Sequence, residues 1–434
     1  MTSSALMTDQ YELTMIDAAI RAGTAFRPSI FETFARRLPG ARRYGVVAGT
    51  GRVIDLIEQF RFNDEQLRFL QERDIVSEET LGFLADYRFR GRIRGYAEGE
   101  LYFPGSPLLT IEGSFADCVM LETIILSVMN YDSAVATAAS RMVTAAGDRP
   151  IAEMGSRRTS EESAVAAARA SYISGFTNTS NMEAGARWGI PTMGTAAHSF
   201  TLLHETEEDA FRAQVDALGT ETTLLVDTYD IASGVETAIR VAGTGLGGVR
   251  LDSGDLPIVA ARTREQLDSL GAVNTRITVT SDLDEFAIAA LAASPVDAYG
   301  VGTSVVTGSG SPAAGMVYKL VTRKGEDGWR SVAKSSKNKT SLGGEKLAVR
   351  SLDNGVAVEE TVFAGDPKIE DVVDSSDGRA LQVSLIRDGA IADEYRGAAG
   401  VDRARQHRAT AIAELPLEAH RLAPGDPVIP TVFR

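Results

Sequence analysis

The chain has 434 residues, of which 44% are apolar and 24% charged, and this is typical of a globular protein of two or three domains, or of one large domain with additions. Its formal net charge of −15 argues against nucleic acid or an anionic membrane as a partner. The single cysteine, Cys118, excludes an intrachain disulfide, and the N-terminus lacks the basic start and apolar core of a signal peptide, so we expect a cytoplasmic protein.

The N-terminal part mixes helices and strands, which predicts an α+β domain over residues 1–145. The stretch TDQYELTMIDAAIRAG predicts a helix that is capped by Thr8 or Asp9 and has Gly23 just past its end. The stretch IFETF is strand-like, and alternation from Arg88 to Phe103 indicates further strands. Additional helices are predicted over 51–60, 64–73, 77–86 and about 116–146.

From Ile151 onwards, strand candidates alternate regularly with helical segments, which predicts a parallel β/α domain over residues 146–310. The candidates are, in chain order, IAEM, GFTN, IPTMG, TLLVD, GVRLD, RITVT and AYGVG. Capping-box patterns at Thr159–Glu162 and Ser180–Glu183 support two of the helices. Polar residues follow seven consecutive strands. Because such loops all meet on one face of a barrel, but only at the switch point of an open sheet, the pattern favours a barrel.

The last part of the chain, residues 311–434, has a different texture. After a glycine-rich loop comes the strand candidate MVYKLV, followed by the lysine-rich segment AKSSKNKTSLGGEK, short strands and a final helix. We assign this part to the last barrel strand, a phosphate-binding lysine segment and a C-terminal region that packs on the N-terminal domain.

Four strand ends carry residues suited to chemistry. His198 lies in the polar, glycine-rich loop GTAAHSF; a lone histidine is usually structural, but this setting favours function, with Asp227 as the acid that could orient it. Arg250 could fix a carboxylate and Asp252 could hold ribose hydroxyls or a metal, the alternative being a surface salt bridge and helix cap. The stretch YGVGTS offers backbone amides and hydroxyls to a phosphate, or simply forms a tight turn.

Seven motifs occur in the order seen in nicotinate phosphoribosyltransferases: TDQYELTM, EMGSRRT, GTAAHSF, LLVDTYD, GVRLDSGDL, YGVGTS and VYKL. The resemblance spans about residues 8–350. It implies a type II phosphoribosyltransferase with an α/β fold: an irregular TIM-like parallel β/α barrel with a flanking α+β domain built from the N- and C-terminal parts. It also implies a homodimer with shared active sites, acting on small molecules.

The same resemblance implies an activity in NAD biosynthesis. Such enzymes make nicotinate mononucleotide from nicotinate and phosphoribosyl pyrophosphate, and couple the reaction to ATP hydrolysis through a phosphorylated histidine. We therefore expect ATP and Mg²⁺ as cofactors, with Mg²⁺ carried by the substrate phosphates and no dedicated protein cage.

The resemblance further implies roles for individual residues. His198 becomes the phosphohistidine, Asp227 orients it, and Asp252 holds the ribose side. The residues expected around nicotinate are Tyr11, from the neighbouring subunit, with Arg157, Ser180, Thr195 and Arg250. Those expected at the phosphoribosyl and phosphate groups are Gly302, Thr303, Ser281 and Asp282, with Lys334, Lys337 and Lys339 as candidates for pyrophosphate or ATP phosphates.

Three alternatives remain from the sequence. In the sister family that uses nicotinamide, an aspartate takes the place of Ser180; because a serine can donate to a carboxylate whereas an aspartate repels it, Ser180 favours nicotinate, and it could also cap its helix. A quinolinate-using enzyme would decarboxylate its substrate and need neither ATP nor His198. A non-catalytic metabolite-binding barrel is disfavoured by the arginine, histidine and aspartates at the strand ends.

Overall fold

The computed structural model describes residues 3–333, 342–365, 371 and 378–434, which form a mixed α/β fold. The chain divides into two compact units. The two-segment unit joins Met1–Thr137 to Ser311–Arg434, and the central unit is the continuous stretch Ala138–Gly310.

The helices and strands are numbered here in chain order. The helices are α1 (Gln10–Arg21), α2 (Thr50–Glu58), α3 (Asp64–Glu72), α4 (Glu78–Ala85), α5 (Phe115–Val119), α6 (Glu122–Ala146), α7 (Glu161–Ile173), α8 (Met182–Trp188), α9 (His198–Leu203), α10 (Glu207–Leu218), α11 (Ile231–Ala242), α12 (Leu256–Ser269), α13 (Glu285–Ala290), α14 (Thr303–Val306) and α15 (Gly397–Ala413). Short 3₁₀ helices span Pro39–Ala41, Asp393–Tyr395 and Leu417–His420.

The strands are β1 (Pro28–Ala35), β2 (Gly45–Val46), β3 (Arg92–Tyr96), β4 (Leu101–Tyr102), β5 (Leu109–Ser114), β6 (Ile151–Glu153), β7 (Asn178–Thr179), β8 (Thr223–Leu225), β9 (Gly248–Leu251), β10 (Arg276–Val279), β11 (Ala298–Val301), β12 (Met316–Gly325), β13 (Gly328–Ser331), β14 (Glu345–Asp353), β15 (Val356–Gly365), β16 (Gly378–Ala380), β17 (Gln382–Arg387), β18 (Ala390–Ile391) and β19 (Thr431–Phe433).

Helix α1 illustrates how local sequence determines an element. Asp9 takes the extended N-cap conformation, and Leu13, Ile16 and Ile20 recur at helical spacing on the buried face. The chain leaves the helix through Gly23, whose φ of 69° lies in the left-handed region. The predicted helix is therefore confirmed, as are those predicted for α2, α3 and α4.

The two-segment unit is built on a seven-stranded sheet in the order β13-β12-β1-β5-β3-β17-β18, in which neighbouring strands run antiparallel. A four-stranded sheet, β16-β14-β15-β19, also belongs to this unit. The first sheet buries one face in the unit's apolar core, where Phe31 stacks on Tyr318 with ring centroids 5.0 Å apart.

The prediction that the MVYKLV strand is the last strand of the barrel was wrong. This strand is β12, which pairs antiparallel with β1 and places Lys319 opposite Glu32. Its sequence explains the difference, since Tyr318 is buried while the neighbouring Lys319 is not. Such alternation is typical of an antiparallel strand with one buried face, whereas barrel strands are apolar on both faces.

The central unit contains a six-stranded parallel sheet in the order β7-β6-β11-β10-β9-β8. The first strand, β6, pairs with the last, β11, which brings Glu153 opposite Val301. The sheet therefore forms a half-barrel. The candidate strand IPTMG contributes an isolated parallel bridge between Thr192 and Thr179 in place of a full strand.

Two predicted capping boxes were also wrong. Helix α7 begins after Ser160, whose hydroxyl bonds to Ser163. Helix α8 is capped by Asn181, whose side chain accepts a hydrogen bond from the amide of Ala184 at 2.9 Å. Asparagine is among the strongest N-caps, and it moves the start of α8 one residue beyond the predicted position at Ser180.

The helical segment Phe115–Ala146 is long and apolar enough to cross a membrane by length and composition alone. However, 67% of its most apolar window is buried inside the structure, which is typical of a core helix.

Candidate active site at the ends of the parallel strands

His198 is the first residue of α9, and its side chain is 40% exposed. Its Nδ1 atom lies 3.1 Å from the hydroxyl oxygen of Thr228. Its Nε2 atom lies 3.7 Å from Oδ2 of Asp252 and 4.0 Å from Oδ1 of Asp227. The imidazole thus faces two carboxylates with one nitrogen and a hydroxyl with the other.

Asp227, which follows β8, is held in a buried position. Its Oδ2 atom accepts hydrogen bonds from the amide of Asp252 at 2.8 Å and from the hydroxyl of Ser253 at 2.7 Å. Its Oδ1 atom, on the side of His198, is buried without a hydrogen-bond partner among the described residues. Because 4.0 Å exceeds hydrogen-bond length, Asp227 acts on the imidazole through its charge in this arrangement.

Asp252, which follows β9, is more exposed, with 38% of its side chain accessible. Its Oδ1 atom accepts a hydrogen bond from the hydroxyl of Thr280, the residue after β10. That bond fixes the carboxylate so that Oδ2 is directed at His198.

Three hydroxyl residues that the sequence analysis missed therefore hold the site together: Thr228, Ser253 and Thr280. The sequence contains a signal for them. Thr228 and Ser253 directly follow the strand-end acids, and Thr280 directly follows β10. A hydroxyl at such a position can bond to a neighbouring strand end, since parallel strand ends lie side by side.

Arg250 projects from β9 two residues before Asp252, so both side chains leave the strand on the same side. Its guanidinium donates to the carbonyl of Ala196 at 3.1 Å, while Nε is buried without a partner among the described residues. Burial lowers the pKa of Arg250 and Arg157 lowers it further, whereas Asp252 and Asp227 raise it. Arg250 therefore tethers the loop that carries Thr195 and retains donor capacity for an anion.

The structure does not bring Ser180 into contact with His198. Ser180 is exposed, and it lines a cleft of about 490 Å³ together with Asn181 and Arg187, at the N-termini of α7 and α8. Arg157 lies exposed in the loop after β6, close enough for its charge to act on Arg250.

The predicted phosphate residues lie after β10 and β11. Gly302 is the N-cap of α14, and Thr303 begins that helix with an exposed side chain. A Cβ at Gly302 would lie 3.2 Å from the carbonyl oxygen of Met154, so the loops after β6 and β11 approach closely. Ser281 and Asp282 are exposed, and Ser281 has a φ of 108°, which a non-glycine residue adopts only under strain.

Tyr11 belongs to the two-segment unit and is 45% exposed. Partial burial, together with the charges of Glu122, Glu12 and Asp9 and the hydrogen bond that the hydroxyl donates to Glu122, raises its pKa to about 12. The tyrosine is therefore neutral near pH 7 and presents its ring to solvent. The three predicted phosphate-binding lysines, Lys334, Lys337 and Lys339, lie outside the described residues.

Within the described part of the chain, no group of three or more His, Cys, Asp or Glu side chains could hold a metal ion. The two-segment unit carries a separate cleft of about 610 Å³ beside Arg94, Trp329 and Gln382, which contains none of the predicted site residues.

Fold and site together define an α/β protein whose histidine, aspartates and arginine gather at the ends of parallel strands, the position that barrel enzymes use for catalysis. Comparison with known proteins agrees with this class. Residues 6–130 match the family model described as the nicotinate phosphoribosyltransferase (NAPRTase) N-terminal domain.

Among curated proteins, the nicotinate phosphoribosyltransferase pncB1 of Mycobacterium tuberculosis is 54% identical over 98% of this chain and 94% of its own length. The nicotinate phosphoribosyltransferase of Bacillus subtilis is 37% identical over 75% of this chain and 68% of its own length. The crystal structure of human nicotinic acid phosphoribosyltransferase superimposes with a TM-score of 0.82 at 26% identity, covering 98% of this chain and 97% of the human one. The chain belongs to the nicotinate phosphoribosyltransferase family.

Proposed function

We propose that the protein makes nicotinate mononucleotide from nicotinate and phosphoribosyl pyrophosphate in NAD biosynthesis, with ATP hydrolysis coupled through phosphorylation of His198. It would thus be an ATP-coupled ligase, acting in the cytoplasm. The observation that carries the proposal is the position of His198, a partly exposed imidazole at a strand end between the carboxylates of Asp227 and Asp252.

We further propose that the half-barrel extends to an irregular TIM-like barrel in which the segment IPTMG occupies the place between β7 and β8. The pairing of β6 with β11 and the bridge between Thr179 and Thr192 support this order. We also propose three domains. Residues 1–145 form an N-terminal α+β domain, residues 146–310 form a catalytic β/α domain, and residues 311–434 form a C-terminal part that packs on the N-terminal domain.

The glycosyl transfer requires two anions to be positioned around a developing cation. Pyrophosphate leaves the anomeric carbon of the ribose, positive charge develops there, and the pyridine nitrogen of nicotinate attacks. Arg250, with spare donor capacity, suits the nicotinate carboxylate, and Thr195 lies in the loop that it tethers. Asp252 supplies negative charge and an acceptor for ribose hydroxyls.

On the phosphate side, the amides and hydroxyl at Gly302 and Thr303 suit the 5′-phosphate, with Ser281 and Asp282 beside them. These assignments follow from strand-end position, since all four residues lie within three residues of the end of β10 or β11.

The surroundings of His198 favour a proton on one ring nitrogen and a free lone pair on the other. The charges of Asp227 and Asp252 favour a proton on Nε2. The lone pair then lies on Nδ1, where the Thr228 hydroxyl can donate to it. We infer that Nδ1 attacks the γ-phosphorus of ATP, so that a phosphorus–nitrogen bond forms as ADP leaves. Water later cleaves that bond and releases phosphate.

The residues present also fit a magnesium ion that is held mainly by substrate phosphates. The unpartnered Oδ1 of Asp227 and the accessible Oδ2 of Asp252 are the nearest carboxylate oxygens, and oxygen is the ligand that Mg²⁺ prefers. When bound, the ion neutralises phosphate charge.

We propose that the enzyme is a homodimer in which Tyr11 packs against the pyridine bound by the partner subunit. Support comes from the exposed ring of Tyr11 on α1 and from the exposed apolar side chains of Met7 and Met15 close by in sequence. Exposed apolar side chains of this kind are suited to a contact with another surface.

One assay tests the activity: incubation with phosphoribosyl pyrophosphate and Mg²⁺ and either nicotinate, nicotinamide or quinolinate, with and without ATP, and identification of the nucleotide. We expect a product from nicotinate, and stimulation by ATP. Preference for nicotinamide, or carbon dioxide release from quinolinate without ATP, would identify one of the alternative enzymes, and no product from any pyridine would indicate a binding protein.

A second assay tests His198. ATP labelled at the γ-phosphate should transfer acid-labile, base-stable phosphate to the protein, and His198→Asn should abolish both the label and the stimulation by ATP while leaving some ATP-independent synthesis. His204→Asn is the matched control, because His204 follows the same helix and bonds to the carbonyl of Phe200. Full ATP stimulation in His198→Asn would exclude this histidine as the coupling residue.

A further inference from the structure

The carboxylate of Glu153 is buried at the strand ends and takes no part in the proposed reaction. Glu153, the last residue of β6, has no exposed surface. Its carboxylate accepts hydrogen bonds from the amide of Gly155 and from the hydroxyl of Thr179, the latter at 2.5 Å. Among the described residues it has no ion pair with a cationic side chain, and burial raises its pKa. Because burying a carboxylate is costly, its position calls for an explanation.

On one side, Glu153 connects β6 to β7. Its carbonyl accepts from the amide of Ser180 at 2.8 Å, while its carboxylate holds the Thr179 hydroxyl. That hydroxyl oxygen in turn accepts from the amide of Asn181 at 3.0 Å. The strand end that carries Ser180 is thereby fixed to the strand that leads to Arg157.

On the other side, Glu153 connects β6 to the phosphate loop after β11. The amide that it holds belongs to Gly155, where a Cβ would lie 3.0 Å from the carbonyl oxygen of Gly302 and 2.2 Å from a methyl group of Val306. The amide of Met154 also donates to the carbonyl of Val301 at 2.7 Å. The loop after β6 and the phosphate loop are therefore in van der Waals contact directly above this carboxylate.

We propose that Glu153 is a positioning residue that sets the spacing between the pyridine-binding loops after β6 and β7 and the phosphate-binding loop after β11. The inference rests on the proposed function for the identity of the two ligands. Its physical basis is that the Glu153 carboxylate bonds to Gly155 in the loop after β6 and to Thr179 at the end of β7. Gly155 in turn packs against the loop after β11. A change at Glu153 should therefore weaken the coupling between the two ligands more than it weakens either ligand alone.

The coupling is measured by calorimetry with benzoate, which has the carboxylate of nicotinate but no ring nitrogen to attack. The benzoate dissociation constant is determined with and without phosphoribosyl pyrophosphate and Mg²⁺. In the unchanged protein we expect phosphoribosyl pyrophosphate to tighten benzoate binding at least about fivefold, a coupling of about 1 kcal/mol. In Glu153→Ala the tightening should fall below twofold, while the benzoate dissociation constant alone changes less than threefold.

Two further variants separate connection from charge. Glu153→Gln retains an acceptor for the amide of Gly155 and a group that reaches Thr179, so it should keep most of the coupling. Thr179→Val removes the β7 connection without removing the carboxylate, and should lose coupling even if Glu153→Ala fails to fold. Thr177→Val is the matched control, since Thr177 bonds to the carbonyl of Ile151 at 3.0 Å near the opposite end of the same strands, and it should behave as the unchanged protein.

Several results would overturn the inference: no coupling in the unchanged protein, normal coupling in both Glu153→Ala and Thr179→Val, or equal losses in Glu153→Gln and Glu153→Ala. Failure of the proposed function looks different. A protein that binds benzoate and phosphoribosyl pyrophosphate but forms no nucleotide from nicotinate contradicts the activity, while the coupling is still measured.

Discussion

Glu12 makes the stability of the protein depend on pH in a calculable way. It belongs to α1, has no exposed surface, and its carboxylate faces the start of α6. Its carboxylate accepts from the amide of Thr123 at 3.0 Å and from its hydroxyl at 2.6 Å, and it also contacts the hydroxyl of Thr8. Burial raises the pKa of Glu12 from 4.5 to about 7 even though these hydrogen bonds oppose the shift.

The sign follows from proton binding. Between pH 4.5 and about 7 the native state holds a proton on Glu12 that the unfolded state has lost, so the free energy of unfolding decreases as the pH rises through this interval. Each pKa unit corresponds to about 1.4 kcal/mol, and the total contribution is therefore about 3 kcal/mol. It is fully present below pH 4.5 and absent well above pH 7.

The substitution Glu12→Gln tests this reasoning, because glutamine keeps the shape and the acceptor but does not ionise. We expect the difference in unfolding free energy, variant minus unchanged protein, to increase by about 3 kcal/mol between pH 4.5 and 8.5. Urea unfolding followed by circular dichroism measures it. Glu65→Gln, at an exposed position in α3, should show a flat difference. Parallel curves for Glu12→Gln and the unchanged protein would refute the assigned pKa and its cause.

Three further predictions concern the site. Thr280→Val removes the donor to Asp252 and should lower kcat/KM about tenfold, about 1.4 kcal/mol, with recovery in Thr280→Ser; an unchanged kcat/KM would show that Asp252 needs no such support. Ser180→Asp should shift the ratio of kcat/KM values from nicotinate towards nicotinamide through carboxylate repulsion, whereas a constant ratio would remove Ser180 from substrate selection. Mixing Tyr11→Ala subunits with His198→Ala subunits, each of which should lack ATP-stimulated synthesis, should restore that synthesis, and proven heterodimers without it would argue against shared sites.

Much of the central unit could be predicted because its signals are local. Buried parallel strands read as short apolar runs, and the polar residues at their ends stand out against them. Asp227 and Asp252 are recognisable in this way, and the structure brings both within 4.0 Å of His198. Helix α1 was predictable for a similar reason, since its cap, apolar stripe and terminal glycine all lie within sixteen residues.

The features that the sequence did not predict depend on pairings between distant segments. Nothing local in MVYKLV shows that β12 finds its partner β1 almost three hundred residues earlier in the chain. The bond from Thr280 to Asp252 likewise needs the register of β9 against β10. The cap of α8 at Asn181 was decided by competition between adjacent hydroxyl and amide side chains, for which propensities are nearly equal.

The charges around His198 bear on why a phosphorylated histidine could drive the reaction. A phosphoryl group would add about −1.5 to −2 charges if it resembles other phosphorylated residues, beside the carboxylates of Asp227 and Asp252, which already lie within 4.0 Å of the imidazole. Asp227 cannot turn away, because its Oδ2 is fixed by Asp252 and Ser253. Like charges at this distance repel each other, so the phosphorylated form is raised in energy unless substrate-borne cations neutralise it. Loss of those cations with the leaving pyrophosphate would restore the repulsion and favour hydrolysis. If His198 is phosphorylated as proposed, the same two carboxylates that favour a proton on Nε2 would also make the phosphoryl group labile after transfer, and ATP hydrolysis would then be linked to completed turnover.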